Sequence, residues 1–180
     1  MQKYELSSFL DQLHDEVHAR VSIDEPDVEA AHEAAFTELI CEELADYGAI
    51  DDIIPCLLDE KTSKGWIRTN AHYIDEDNER LDLFVSVYRQ ASDIASITQT
   101  DIRNGFERAR RLLQLVDEGW DIGDRTRSDQ AAMIAAIREA ASQLREVRVF
   151  ILTDCVARDT SEIKEHHKNR LTRCLIWDAT

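Results

Sequence analysis

Apolar side chains recur every three or four positions from Tyr4 through Leu6, Phe9, Leu10 and Leu13 to Val17, which predicts a helix over residues 3–20. A second helix opens where Asp24 or Glu25 precedes Pro26, a residue suited to a first helical turn. It runs to about Tyr47, with Gly48 as a left-handed stop. The pattern then changes. Ile53–Leu58 reads as a short strand whose start is marked by Pro55. Trp66–Ile74 and Leu81–Tyr88 read as two longer strands, and the acidic stretch Asp75–Arg80 between them predicts a β-hairpin with a polar loop. Ile97–Gln114 is helical, capped by Thr98 or Thr100, and Ser128 caps a further helix with Met133, Ile134, Ile137, Ala141 and Leu144 on one face. Val147–Leu152 is a strand stopped by Thr153 and Asp154; after a charged segment (158–170), Thr172–Trp177 forms a last strand.

These elements predict an α/β fold of the α+β kind. A central mixed sheet of about five strands carries a β-hairpin meander and is flanked by helices, because that packing buries the apolar runs best. Residues 1–180 form one domain, with residues 1–24 an added N-terminal helix; five glycines and two prolines leave little room for a flexible linker. No apolar stretch reaches the ~18 residues of a bilayer span, so no membrane partner is expected. The four cysteines (Cys41, Cys56, Cys155, Cys174) make no CxxC pair and no zinc spacing with the six histidines. Buried, reduced thiols are expected, and with them a cytoplasmic address.

Charge changes the picture most. Against 37 acidic residues stand 21 lysines and arginines, a formal net charge of −16. Sequence-independent nucleic-acid affinity comes from cations meeting phosphates. The chain should therefore reach nucleic acid only through metal ions at a carboxylate cluster, or through a basic partner or domain elsewhere. The basic residues Arg103, Arg108, Arg110 and Arg111 share one helix, where pairing with the surplus acids is the expected role.

Dinucleotide, P-loop, nucleophile-elbow and zincin motifs are all missing, which leaves carboxylates as the candidate chemistry. On a helical wheel Glu43 falls among Phe36, Leu39, Ile40 and Tyr47, while Glu38 and Glu42 face outward; His32 shares the Glu43 face. A carboxylate aimed at an apolar interface must be paired, protonated or metal-bound. Glu43 thus either reaches an arginine at the edge or serves as a ligand at the helix–sheet junction. Asp82 shares a strand face with Phe84, Ser86 and Tyr88, and with Asp75 it flanks the hairpin turn. Mg²⁺ needs only two or three convergent carboxylates, whereas Asp75 and Asp77 could equally belong to a solvated loop. His166 and His167 read as solvated, and His72 as half-buried.

The segments FTELICEELADYGAI (36–50), YIDEDNERLDLFVSVY (73–88), ITQTDI (97–102), FERARRLL (106–113), VRVFILTD (147–154) and LIWD (175–178) together resemble the N-terminal domain of abortive-infection phage-resistance proteins. The resemblance covers roughly residues 30–178. It implies a restriction-endonuclease-like core and a role in phage defence (antiviral abortive infection). In such a core a helix acid, a strand Asp and an E-x-K on the next strand hold Mg²⁺ for phosphodiester hydrolysis. Carried over, Glu43 takes the helix position. Asp75 takes the strand position, or else position 70, which is Asn70. Asp82 takes the E-x-K acid, with Phe84 where the lysine belongs. No lysine lies between Lys64 and Lys164, and Arg89, the substitute cation after the strand, cannot act as a base. The expectation is either a nuclease with Glu43, Asp75 and Asp82 as catalytic and metal ligands, or a catalytically inactive module for protein–protein interaction or homo-oligomerisation. Family members are longer, so the chain reads as a fragment and the C-terminal region of its own full-length protein is an expected partner.

Overall fold

Four helices and eight strands make up the fold in a computed structural model of the protein, which describes residues 3–91, 93–120, 127–159, 161–167 and 169–180. Helix α1 (Lys3–Arg20) and helix α2 (Val28–Asp46) lead into three antiparallel strands, β1 (Ile54–Thr62), β2 (Gly65–Asp75) and β3 (Arg80–Val87). Strand β4 (Ser96–Ile97) precedes α3 (Gln99–Asp117) and α4 (Ser128–Ala140). The chain ends with β5 (Glu146–Thr153), β6 (Val156–Ala157), β7 (Lys164–His167) and β8 (Arg170–Trp177). Six strands form one mixed sheet in the order β1-β2-β3-β5-β8-β7, in which β5 runs parallel to both β3 and β8. The expected mixed sheet with its hairpin meander is present, one strand larger than predicted.

Each sheet face has its own core, as the alternation of the strands requires. Leu81, Leu83 and Val85 of β3, with Val147, Val149 and Ile151 of β5, pack beneath α3 and α4. Phe84, Phe150 and Leu152 point the other way and meet α1 and α2 through Leu10, Leu13, Val17, Phe36 and Ile40. The Phe84 and Phe150 rings stack at 4.9 Å and tie β3 to β5 on that face. Gly105 lets α3 lie close on the sheet: a Cβ there would come within 2.9 Å of Ile151 Cδ1.

Three local expectations are corrected. Asp27 caps α2, accepting from the Ala30 N–H at 3.1 Å, so Pro26 lies outside the helix rather than in its first turn. Ser128 is the first residue of α4 and not its cap; the cap position is Arg127, whose side chain makes no capping bond and pairs with Asp129 at 3.4 Å. The charged segment contains strand β7, which pairs antiparallel with β8 from Lys164↔Arg173 to His167↔Arg170. At α3 the cap is Thr98, in a reciprocal capping box with Asp101. All four cysteines are free and buried. Among the described residues, no helix is long and apolar enough to cross a membrane.

Candidate functional site

The hairpin turn brings Asp75 and Asp82 to one cation. Register sets Asp75 opposite Arg80, and Arg80 and Asp82 share a face of β3 two residues apart. The Arg80 guanidinium lies 3.0 Å from Asp75 and 3.4 Å from Asp82, and 2.6 Å from Asp51 in the loop after α2. Asp82 is wholly buried, and the parallel β3–β5 register places Arg148 directly beside it. Arg148 donates to both Asp82 oxygens, Nε to Oδ1 at 2.7 Å and Nη2 to Oδ2, and Nη1 donates to the Ala49 carbonyl at 3.0 Å. One buried carboxylate thus orients an arginine that pins the loop following α2 to the sheet.

Asp75 also caps its own turn. It accepts from the Asn78 side-chain amide at 2.7 Å and from the Asn78 N–H at 3.0 Å. The Asn78 side chain first, then its main chain and the Arg80 charge, hold the Asp75 carboxyl below the usual aspartate range, against the opposing effect of burial. The resulting stabilisation is complete above the unfolded value of about 3.9 and is lost as pH falls through the lower folded value. Asp75→Asn should therefore flatten the acid limb of a Tm-against-pH curve below about pH 4. An unchanged acid limb would remove Asp75 from the groups that govern it.

Glu43 lies elsewhere. Burial, and then the neighbouring Glu16 of α1, push its carboxyl up, so it faces the first helix. His32 similarly meets α1, its ring 4.6 Å from that of His18. The carboxylates of Glu43, Asp75 and Asp82 are not gathered: among the described residues, no group of three or more His, Cys, Asp or Glu is placed to hold a metal ion. The physical reason is charge pairing. Guanidinium groups stay protonated: Arg148 and Arg80 offset the charge of Asp82, and Arg80 with the Asn78 amide engages Asp75, so as placed these carboxylates face side-chain donors rather than one another.

Five residues on the α2 side of the sheet, Glu33, Thr37, Arg68, Asn70 and Ser86, form a second polar cluster. The β2–β3 ladder runs from Asp75↔Arg80 to Ala71↔Phe84, and beyond it the Ser86 N–H bonds to Asn70 Oδ1 at 2.9 Å. A side-chain amide here replaces a rung of the sheet. The opposite edge of β2 is irregular at the same level, where Cys56 and Leu57 of β1 stand against Asn70 alone. Asn70 Nδ2 donates to Glu33 Oε1 at 2.6 Å, and Arg68 binds the same oxygen. Thr37 and Ser86 hydroxyls meet at 2.7 Å. Asn70 and Thr37 line a cleft of about 420 Å³ bounded by the start of α2, Pro55–Leu57 and the start of α4. Glu33 escaped the sequence reading because its partners Arg68 and Asn70 lie 35 and 37 positions away. Asn70 had been singled out only as the place of a missing acid.

The remaining candidates fall into ordinary roles. Arg110 pairs with Glu107 at 2.7 Å, and Arg111 donates to the Trp66 carbonyl at 2.6 Å. His166 is exposed, the His167 side chain lies outside the described residues, and Asp77 sits in the exposed turn. His72 is more deeply buried than expected, at 3% exposure.

Compared with known families, residues 36–180 match the abortive infection phage resistance protein N-terminal domain. No curated protein and no solved structure matches the chain. Helix α1 and the first turns of α2 precede the matched region.

Proposed function

The chain belongs to the abortive infection phage resistance N-terminal domain family, which implies a role in phage defence, and from that premise we propose that it is a non-catalytic module on a restriction-endonuclease-like core. The observation that carries this reading is the chemistry where β2 and β3 part. A metal-dependent core needs a helix acid, a strand acid and an acid–lysine pair on the next strand. The groups that meet there are the Glu33 and Asn70 side chains and the Ser86 main chain, with the Ser86 hydroxyl turned to Thr37 and Tyr88 two residues on. Glu33 supplies a carboxylate already bonded to Arg68, while Asn70 brings an amide and Ser86 a main-chain N–H. The tyrosine phenol, pushed well above its ordinary range first by burial and then by Asp154, cannot replace a lysine cation.

The hairpin acids leave this reading intact, since Asp75 and Asp82 each hold an arginine. What remains for the domain is recognition. A net charge of −16 suits it to a basic protein surface, and the full-length protein's own C-terminal region and a second copy of the chain are the partners to try first.

Calorimetric titration with Mg²⁺ and Mn²⁺ tests the reading, together with assays on plasmid DNA, single-stranded DNA and RNA. The expected result is no saturable heat at ion concentrations up to ~1 mM, above which dedicated oxygen sites are weak, and no cleavage. Saturable binding that disappears in Glu33→Gln or Glu43→Ala would reinstate a metal-dependent nuclease.

A further inference from the structure

The cleft that Asn70 and Thr37 line continues along α2. A second cavity of about 260 Å³ follows it, and Glu38 and Pro55 line both. Together they reach from Asp27, the cap of α2, to Ala45 near its end. At 1.5 Å of rise per helical residue the groove is roughly 27 Å long. An extended chain covers about 3.3 Å per residue, so roughly eight residues span it.

The floor of the groove is apolar. Ala31, Ala34, Pro55 and Leu57 line its first part, and Ile50 and Ile53 its second. Ala34 and Pro55 are exposed and Leu57 is half-buried, so this surface is open to a partner. Gln130 of α4 donates to the Leu57 carbonyl at 2.6 Å, which uses that acceptor and leaves side-chain contact as the means of docking.

The rim is acidic. Glu25, Asp27, Glu38 and Asp129 border the first cavity, and Glu42 and Asp52 the second. These carboxylates come from α2 and its cap, from the loop before β1 and from α4. Arg127 pairs with Asp129 at 3.4 Å, and Arg20 pairs with Glu42 at 2.6 Å and feels the charge of Glu38. Among the described residues, Glu25, Glu38 and Asp52 form no ion pair. The surplus reaches the floor: the Cys41 thiol is pushed up to about 12, by burial first and then by Glu38 and Glu42. Apolar contact below and unanswered negative charge above complement a cationic chain.

We propose that this groove docks an extended segment, rich in lysine or arginine, of a partner protein. Its cations meet Glu25, Glu38 and Asp52, and its small apolar side chains lie along Ala34, Pro55 and Ile53. The proposal rests on the reading of the domain as a recognition module, which the Mg²⁺ titration tests without any peptide.

Amide NMR of the ¹⁵N-labelled chain tests it at 0.1 M salt, with the eight-residue peptide (Lys-Ala)₄ as probe. The uncharged peptide (Ser-Ala)₄ and the polyamine spermine are the controls. Saturable movement confined to amides of α2, the loop before β1 and the start of α4 is expected. The triple variant Glu25→Gln/Glu38→Gln/Asp52→Asn should weaken binding at least tenfold, whereas Asp11→Asn/Asp15→Asn, on the exposed side of α1, should change it less than twofold. Ala34→Phe fills the groove from an exposed helix position and should also weaken binding at least tenfold while the spectrum stays folded. The proposal is overturned if (Lys-Ala)₄ moves no groove amide, if spermine binds as tightly, or if the α1 variant loses as much as the triple variant. Concentration-dependent loss of the same amide signals without peptide would give the groove to a second copy of the chain and overturn it too. Saturable metal heat would overturn the recognition reading whatever the peptide does; a silent peptide with no metal heat would overturn the groove alone.

Discussion

Replacing Arg148 by methionine is expected to cost about 3–5 kcal/mol of folding stability at neutral pH, the loss found when one partner of a buried ion pair is removed. The reason lies in what remains. Asp82 has no solvent exposure, and Arg148 donates to both of its oxygens. Without the guanidinium, a carboxylate is left in the sheet with only the distant edge of Arg80, at 3.4 Å, to answer its charge. Arg148 also holds the Ala49 carbonyl, so the loop after α2 loses one of its tethers at the same time and keeps the Arg80–Asp51 pair. In urea, with a slope of roughly 2 kcal/mol per molar, the midpoint should fall by about 2 M. The double variant Asp82→Leu/Arg148→Met removes both charges and should regain most of the loss, because an apolar pair of similar volume often equals or exceeds a buried ion pair. A single-variant loss below about 1 kcal/mol would mean that Arg80 takes over the carboxylate, and that the β3–β5 pairing does not rest on Arg148.

This pair also shows where sequence reading stops. Elements built on strong local periodicity were legible: α1 came from Leu6, Leu10, Leu13 and Val17, all of which are buried against α2 and the sheet. The hairpin was legible for the same reason, since Leu81–Val87 alternates and its acidic turn has no apolar residue to bury. Strand β7 was not, because Lys164-Glu165-His166-His167 has no apolar alternation and becomes a strand only by pairing with β8. The site was harder still. Helical geometry correctly put Glu43 on an inward side of α2, but a wheel does not show which neighbour that side meets, and the neighbour is α1 with Glu16. Asp82 was rightly placed on the face of Phe84 and Ser86. Its partner comes from a strand 66 positions later, through a parallel crossover that no local pattern encodes. Position 70 was visible as a departure from an acidic pattern, whereas its bonds to Glu33 and to the Ser86 main chain exist only where β2 and β3 part.

Restoring an acid at that position should have the second largest effect. Asn70 is 6% exposed and gives its Nδ2 hydrogen to Glu33 Oε1 at 2.6 Å. In Asn70→Asp that donor becomes a carboxylate oxygen facing another carboxylate, and a loss of roughly 2–4 kcal/mol at pH 7 is expected from a buried, unpaired charge. Arg68 bonds Glu33 and keeps the loss below that of a lone ion in the core. Repulsion raises the folded-state pKa of the new pair above its unfolded value. The penalty is therefore full above the raised folded value and fades as pH falls through it toward the ordinary carboxylate range of about 4. Divalent cations provide the decisive comparison. Two carboxylates at positions 33 and 70 are a plausible Mg²⁺ donor set, and a 1 mM site at 10 mM Mg²⁺ would return about 1.4 kcal/mol by mass action. The parent chain should show no such rescue, because its amide completes the network without a metal. Mg²⁺-dependent recovery of Tm in Asn70→Asp alone would mean that the junction of α2, β2 and β3 keeps the geometry of a metal site, and that one amide closes it. A variant equally unstable with and without Mg²⁺ would mean that the cleft is shaped for another purpose, and the domain's part in phage defence would then be sought on its acidic surfaces.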